Sequence, residues 1–168
     1  MEDFLKSIEN SLQNKNWYSA LVLSLILPDI CSKLEGNNKN SSTRYSEWFN
    51  IYLNQKYNGF LSGNDCYALR CAFLHEGSSN IEEQSAKDIL DHFAFVSKGA
   101  HCNRFSNCFF GDPKYDGKDF LQLSVYDFCQ DMIEATKQWL NDTTVTKNLS
   151  KMLVIREDGF SIGNAIKM

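Results

Sequence analysis

The chain has 168 residues, 43% of them hydrophobic and 13% aromatic, and a formal net charge of −4. That length suits one domain, or one domain with an elaboration, burying roughly two-thirds of its unfolded surface, which excludes a disordered chain. Only four arginines occur, Arg44, Arg70, Arg104 and Arg156, so no broad basic surface is on offer for tight non-specific nucleic-acid binding.

The first residues, Met1 to Lys6, lack a basic stretch followed by an apolar core, so no signal peptide is expected. The longest apolar run, Trp17 to Leu27, is too short to span a bilayer and is broken by serines, which points to a buried helix in a cytoplasmic chain with no membrane partner. Six cysteines, at 31, 66, 71, 102, 108 and 129, follow no framework spacing and read as free thiols.

In chain order, residues 2–14 read as an amphipathic helix with Phe4, Leu5, Ile8 and Leu12 on one face. Asn16 caps a second helix that runs to about Glu35, kinked at Pro28. Ser41 or Ser42 caps a third, with Tyr45, Trp48, Phe49, Tyr52 and Leu53 at helical spacing. Asn58-Gly59 is a turn. A helix over 63–76 follows, and Asn80 starts another, to about Asp91. Residues 92–123 change character: short alternating runs bounded by Gly and Pro predict small strands or ordered loops. Ser124 opens a strong helix to about Asn141. The tail is a hairpin candidate through Asp158-Gly159. The fold class is mainly α: a bundle of four to five helices over 1–142, a β-like insertion at 92–123, and a tail, 143–168.

The most informative segment is Ser62 to Gly77. Ser62 and Asp65 have the S-x-x-D spacing of a helix start, and Gly77 stands where a left-handed stop is expected. Between them the helix is apolar, at Tyr67, Ala68, Leu69, Ala72, Phe73 and Leu74, except for Arg70 and His75. A guanidinium matches a phosphate with a planar fork of donors, and an imidazole titrates near neutrality as base or acid. Five residues at about 100° each leave the two side chains roughly 140° apart, so two copies of the helix across a twofold axis build a joint site more easily than one.

Arg70-Cys-Ala-Phe-Leu-His75, near the end of a helix within a small bundle, resembles the R-x4-6-H motif of the HEPN superfamily. Its surroundings, Tyr67 to Gly77 with a late helix ending in Trp139-Leu140, are similar to a plasmid- and defence-associated HEPN branch, over about residues 1–142. The resemblance implies a homodimeric α-bundle, formed through the Arg70/His75 helix and acting as a metal-independent ribonuclease, with Arg70 and His75 as the catalytic pair. Many family members are toxins of toxin–antitoxin or phage-defence systems, so an antitoxin or other partner protein is implied as well. Cys71 departs from the Asn or Asp that often follows the arginine. Gly77 stands where one branch carries a tyrosine modified by a nucleotidyltransferase, which argues against that regulation.

Arg44 and Tyr45 near one helix start, Asn64 near another, and Cys71 beside Arg70 are the further candidates to line an RNA groove. His92, His101, Cys102 and Cys108 are soft ligands without the paired C-x2-4-C ends of familiar zinc sites, so neither a metal nor a cofactor is expected. Absence of P-loop, G-x-G-x-x-G and H-E-x-x-H motifs disfavours nucleotide hydrolases, dinucleotide enzymes and zincin proteases. Two alternatives stay open: a non-catalytic module binding a nucleotide, RNA or protein through the same helix, and a structural domain in which an internal salt bridge consumes Arg70.

Overall fold

The computed structural model describes residues 1–36, 38–153 and Ile155. The helices are α1 (Glu2–Gln13), α2 (Trp17–Leu25), α3 (Leu27–Leu34), α4 (Ser41–Tyr52), α5 (Gly63–Glu76) and α6 (Val125–Asn141). The strands are β1 (His92–Val96), β2 (Asn103–Phe105) and β3 (Phe120–Ser124), and a single 3-10 turn spans Leu149–Lys151. The chain is mainly helical with one small sheet. The candidate hairpin at Asp158-Gly159 lies outside the described residues.

The chain breaks at Ile26 rather than kinking, because Pro28 lacks the N–H to carry α2 onward and instead fits the first turn of α3. Together α2 and α3 hold the one 18-residue window, among the described residues, long and apolar enough to cross a bilayer by composition alone. Half of it is buried inside the bundle, which accounts for its apolarity. Asn40, not Ser41 or Ser42, caps α4: its Oδ1 accepts from the Thr43 N–H at 2.9 Å.

Residues 80–91 form no helix. Asn80 Oδ1 accepts from the Glu82 N–H at 2.8 Å, a local bond that competes with helix formation. The segment is then strapped to α5 from outside. Asp65, 2% exposed, accepts from the backbone N–H of Asp88 at 2.8 Å, with the N–H of Ile89 3.3 Å away. The carboxylate of Asp88 in turn takes bonds from Ser62 Oγ and Asn64 Nδ2. A segment rich in polar residues thus gets its backbone partners from side chains of the neighbouring helix.

The strand character of 92–123 is present, in the order β1-β3-β2. β3 pairs parallel with β1 and antiparallel with β2, in the registers His92↔Phe120 and Phe105↔Phe120. β3 runs directly into α6, whose first turn Ser124 caps by accepting from the Asp127 N–H. Leu121, Leu123 and Phe93 bury their side chains against the bundle, so sheet and helices share one core built around Trp48, Trp139, Tyr45, Tyr57 and Phe128.

A charged knot pins the sheet loop to α6. The Asp131 carboxylate lies on the buried side of α6. Its Oδ2 accepts from the Tyr57 hydroxyl at 2.9 Å and lies 3.4 Å from His101 Nε2, while Oδ1 pairs with Lys56 at 2.5 Å. The other His101 nitrogen, Nδ1, accepts from the Ser124 N–H at 3.2 Å. Burial pushes the Asp131 pKa up, but the bonds from His101, Lys56 and Tyr57 outweigh it and hold the carboxyl below its ordinary value. A depressed carboxyl stabilises the fold above its unfolded value, near 3.9, and loses that contribution as pH falls through the folded value. Asp131→Asn is therefore expected to cost about 3 kcal/mol in urea unfolding at pH 7, with the gap to wild type narrowing as pH falls below the ordinary carboxyl range of about 4. A gap unchanged across that range would mean the charge is irrelevant. Asp29 and Asp65, raised by burial, act in the opposite sense, so only the comparison of variant with wild type isolates Asp131.

Candidate functional site

Helix α5 begins and ends where its sequence demands. Ser62 Oγ accepts from the Asp65 N–H at 3.0 Å. Gly77, at φ 65°, closes the last turn, with its N–H on Phe73 O and the Ser78 N–H on Ala72 O. One side of α5 is buried through Gly63, Asp65, Cys66, Ala68, Leu69 and Ala72. Tyr67, Arg70, Cys71 and Leu74 are half-buried along the other side, and His75 is exposed in the last turn.

Arg70 is braced. Its Nε lies 2.9 Å from Asp29 Oδ2 on α3, and the two side chains are 23% and 18% exposed. Neither of those two atoms makes any hydrogen bond of standard geometry, so the contact is a charge pair. The guanidinium carbon stands 5.9 Å from the Tyr67 ring centre, and Nη1 is 3.9 Å from Cys71 Sγ. With Nε on Asp29 and Nη1 on Cys71, Nη2 is the part of the fork that makes no hydrogen bond among the described residues. Burial raises the Asp29 pKa, while the positive charges of Arg70 and Arg44 pull it back. Two arginines from different helices, Arg70 on α5 and Arg44 on α4, thus act on the one carboxylate of Asp29.

The structure brings together only part of the expected set. Arg44, Arg70 and Cys71 share the neighbourhood of Asp29. Arg44 is itself tied down, with Nη1 donating to Lys39 O at 2.6 Å. Tyr45 does not line a groove: it is fully buried, its hydroxyl donating to Leu25 O at 3.0 Å. Asn64 is a strut, accepting from Ser46 Oγ at 2.6 Å and donating to Asp88. His75 stands apart from Arg70, five residues and about 7.5 Å further along the axis.

Among the described residues no group of three or more His, Cys, Asp or Glu side chains converges to hold a metal ion. His92 pairs with Glu82 at 3.6 Å, His101 is spent on Asp131 and Ser124, and Cys108 Sγ donates to Ser106 O. Sequence reasoning missed Asp29, which orients Arg70. The signal was thin: an acid beside Pro28, in what reads as the middle of an apolar helix.

Compared with protein-family models, curated proteins and solved structures, the chain matches none.

Proposed function

We propose that this chain is a metal-independent endoribonuclease of HEPN type. It acts as a cytoplasmic homodimer joined through α5, in a toxin or phage-defence setting controlled by an antitoxin or other partner protein. The observation that carries the reading is the display on α5: a guanidinium braced at Nε by Asp29 and at Nη1 by Cys71, with Nη2 left to a ligand, and an exposed imidazole in the last turn of the same capped helix. In this reading Nη2 of Arg70 holds the scissile phosphate. His75 moves protons: off the 2′-hydroxyl as it attacks phosphorus, or onto the 5′-oxygen as the P–O5′ bond breaks. The products are a 2′,3′-cyclic phosphate and a 5′-hydroxyl, with atoms balanced and no metal needed.

A second reading is a non-catalytic module using the same face. The Asp29–Arg70 pair favours it, since a carboxylate beside the guanidinium competes with a phosphate. The deciding experiment is cleavage of total RNA and tRNA in EDTA, wild type beside His75→Ala, with product ends mapped. The nuclease reading expects cyclic-phosphate ends and a loss of about a hundredfold or more in the variant. No cleavage by a folded, dimeric wild type would leave the binding module.

A further inference from the structure

Beside Arg70, along the same helix, runs an aromatic groove of about 380 Å³ between α2, α5, β1 and the 112–115 turn. Its walls include Trp17 and Tyr18 of α2, Phe73 of α5, Phe95 of β1, and Lys114 and Tyr115. The volume lies within the range of small-molecule sites. Tyr18 is 77% exposed, yet its ring is held nearly parallel to Phe73, at 7° with centroids 6.3 Å apart. A large ring fixed in water with an open face is a stacking platform without an occupant.

The groove belongs to the Arg70 side of α5. Phe73 and Gly77 both line it, and they follow Arg70 at the i, i+3, i+7 spacing of one helix stripe. The backbone of Phe73 is therefore about 4.5 Å along the axis from that of Arg70 and about 60° around it, which makes the two residues neighbours on the helix surface. Charge matches as well. Lys114 Nζ stands 5.2 Å from the Tyr115 ring and makes no ion pair among the described residues, so the groove wall itself carries one cation, and Arg70 lies outside it, one turn before Phe73 on α5. The hydroxyls of Ser79 and Ser97 also line or border the cleft without a hydrogen bond of their own among the described residues, and are available to a base edge.

We propose that this groove is a base-binding subsite: it takes one unpaired nucleobase of an RNA strand, stacked on Tyr18 and Phe95, with the adjoining phosphate on Arg70. The inference rests on reading Arg70 as a phosphate ligand, and it extends that reading to what the protein recognises. Stacking on aromatic walls with little edge readout gives a subsite that demands single-stranded RNA and tolerates several bases.

The test is titration of the intact chain with AMP, CMP, GMP and UMP, followed by tryptophan fluorescence and calorimetry. Trp48 and Trp139 are buried, at 2% and 0%, so Trp17 is the reporter at the groove. At least one monophosphate is expected to quench saturably. Tyr18→Ala, an exposed position that leaves the core untouched, is expected to weaken binding about tenfold or more. Arg70→Ala is expected to erase the advantage of a monophosphate over its nucleoside. A trinucleotide RNA is expected to bind more tightly than the monophosphate; equal binding would assign the groove to a free nucleotide and overturn the strand. No saturable signal with any of the four, or unchanged affinity in folded Tyr18→Ala, overturns the subsite altogether. Cleavage of RNA with no groove binding would remove only the subsite. Groove binding in a chain that cleaves nothing would keep it and remove the nuclease.

Discussion

Arg70→Ala and His75→Ala dimers are each expected to be inactive, yet to recover about a quarter of wild-type cleavage when mixed and allowed to exchange subunits. The number follows from symmetry. Random exchange makes half of the dimers mixed, and a mixed dimer holds one site with both residues intact and one with neither. The expectation depends on a site that takes Arg70 from one copy and His75 from the other. Two features of α5 motivate that arrangement. The side chains lie about 140° apart around the axis, so a single phosphate on one helix does not meet both without a long detour. Arg70 is also held toward α3 by Asp29, which takes away the freedom to swing round to its own His75. Loss of either group alone is expected to lower the rate by a factor of 10² to 10⁴, so a recovery to a quarter stands far above background. Mixed dimers that form, as shown by differently tagged subunits, but stay inactive would place Arg70 and His75 of one chain in the same site. Exchange that fails for lack of a dimer would remove the twofold reading.

Local signals carried the reading of the sequence furthest. Ser62, Asp65 and Gly77 bound α5 to the residue, because cap chemistry is satisfied within a few positions and owes little to the rest of the fold. The turn from β3 into α6 at Ser124 was legible for the same reason. What escaped was whatever a distant partner decides. Residues 80–91 carry helical-looking spacing, but Asp65, some 23 positions away, binds their backbone and holds them as turns. Tyr45 shares the helical spacing of Trp48, Phe49 and Tyr52, which suits core, and its place near a helix start also offered it to a groove; the packing of α4 on α3 and α5 decides for the core and puts its hydroxyl on Leu25 O. The parallel pairing of β1 with β3 joins strands separated by a loop and a third strand, which no short window reveals. At the candidate site, the two residues of the motif were readable from type and spacing. The brace on Arg70 was not, since Asp29 is 41 positions earlier and belongs to another helix.

The largest expected loss of stability comes from a residue with no side chain. Gly63 is the first residue of α5, where alanine would normally be neutral or favourable by up to about 1 kcal/mol. Here Gly63→Ala is expected to destabilise by about 3 kcal/mol or more, because the added methyl has nowhere to go. A Cβ on Gly63 would overlap the backbone of Ser46 on α4, reaching 2.6 Å from its Cα and 2.9 Å from its carbonyl carbon. Backbone atoms of a helix do not rotate aside as a flexible side chain does. Nor is α4 free to retreat. Tyr45, Trp48 and Phe49 bury it in the core, Ser46 Oγ is tied to Asn64, and Asn50 Oδ1 accepts from the Gly63 N–H at 2.9 Å. The relief must come from tilting α5, the helix that carries Arg70 and His75. Gly77→Ala supplies the contrast at the other end of the same helix. Its φ of 65° strains an L-residue, but open space surrounds it, so a loss of only about 1 kcal/mol is expected. Urea unfolding of the two variants separates the mechanisms. A Gly63→Ala protein as stable as wild type would mean that α4 and α5 do not pack backbone to backbone, and the placement of Arg70 against Asp29 would fall with it.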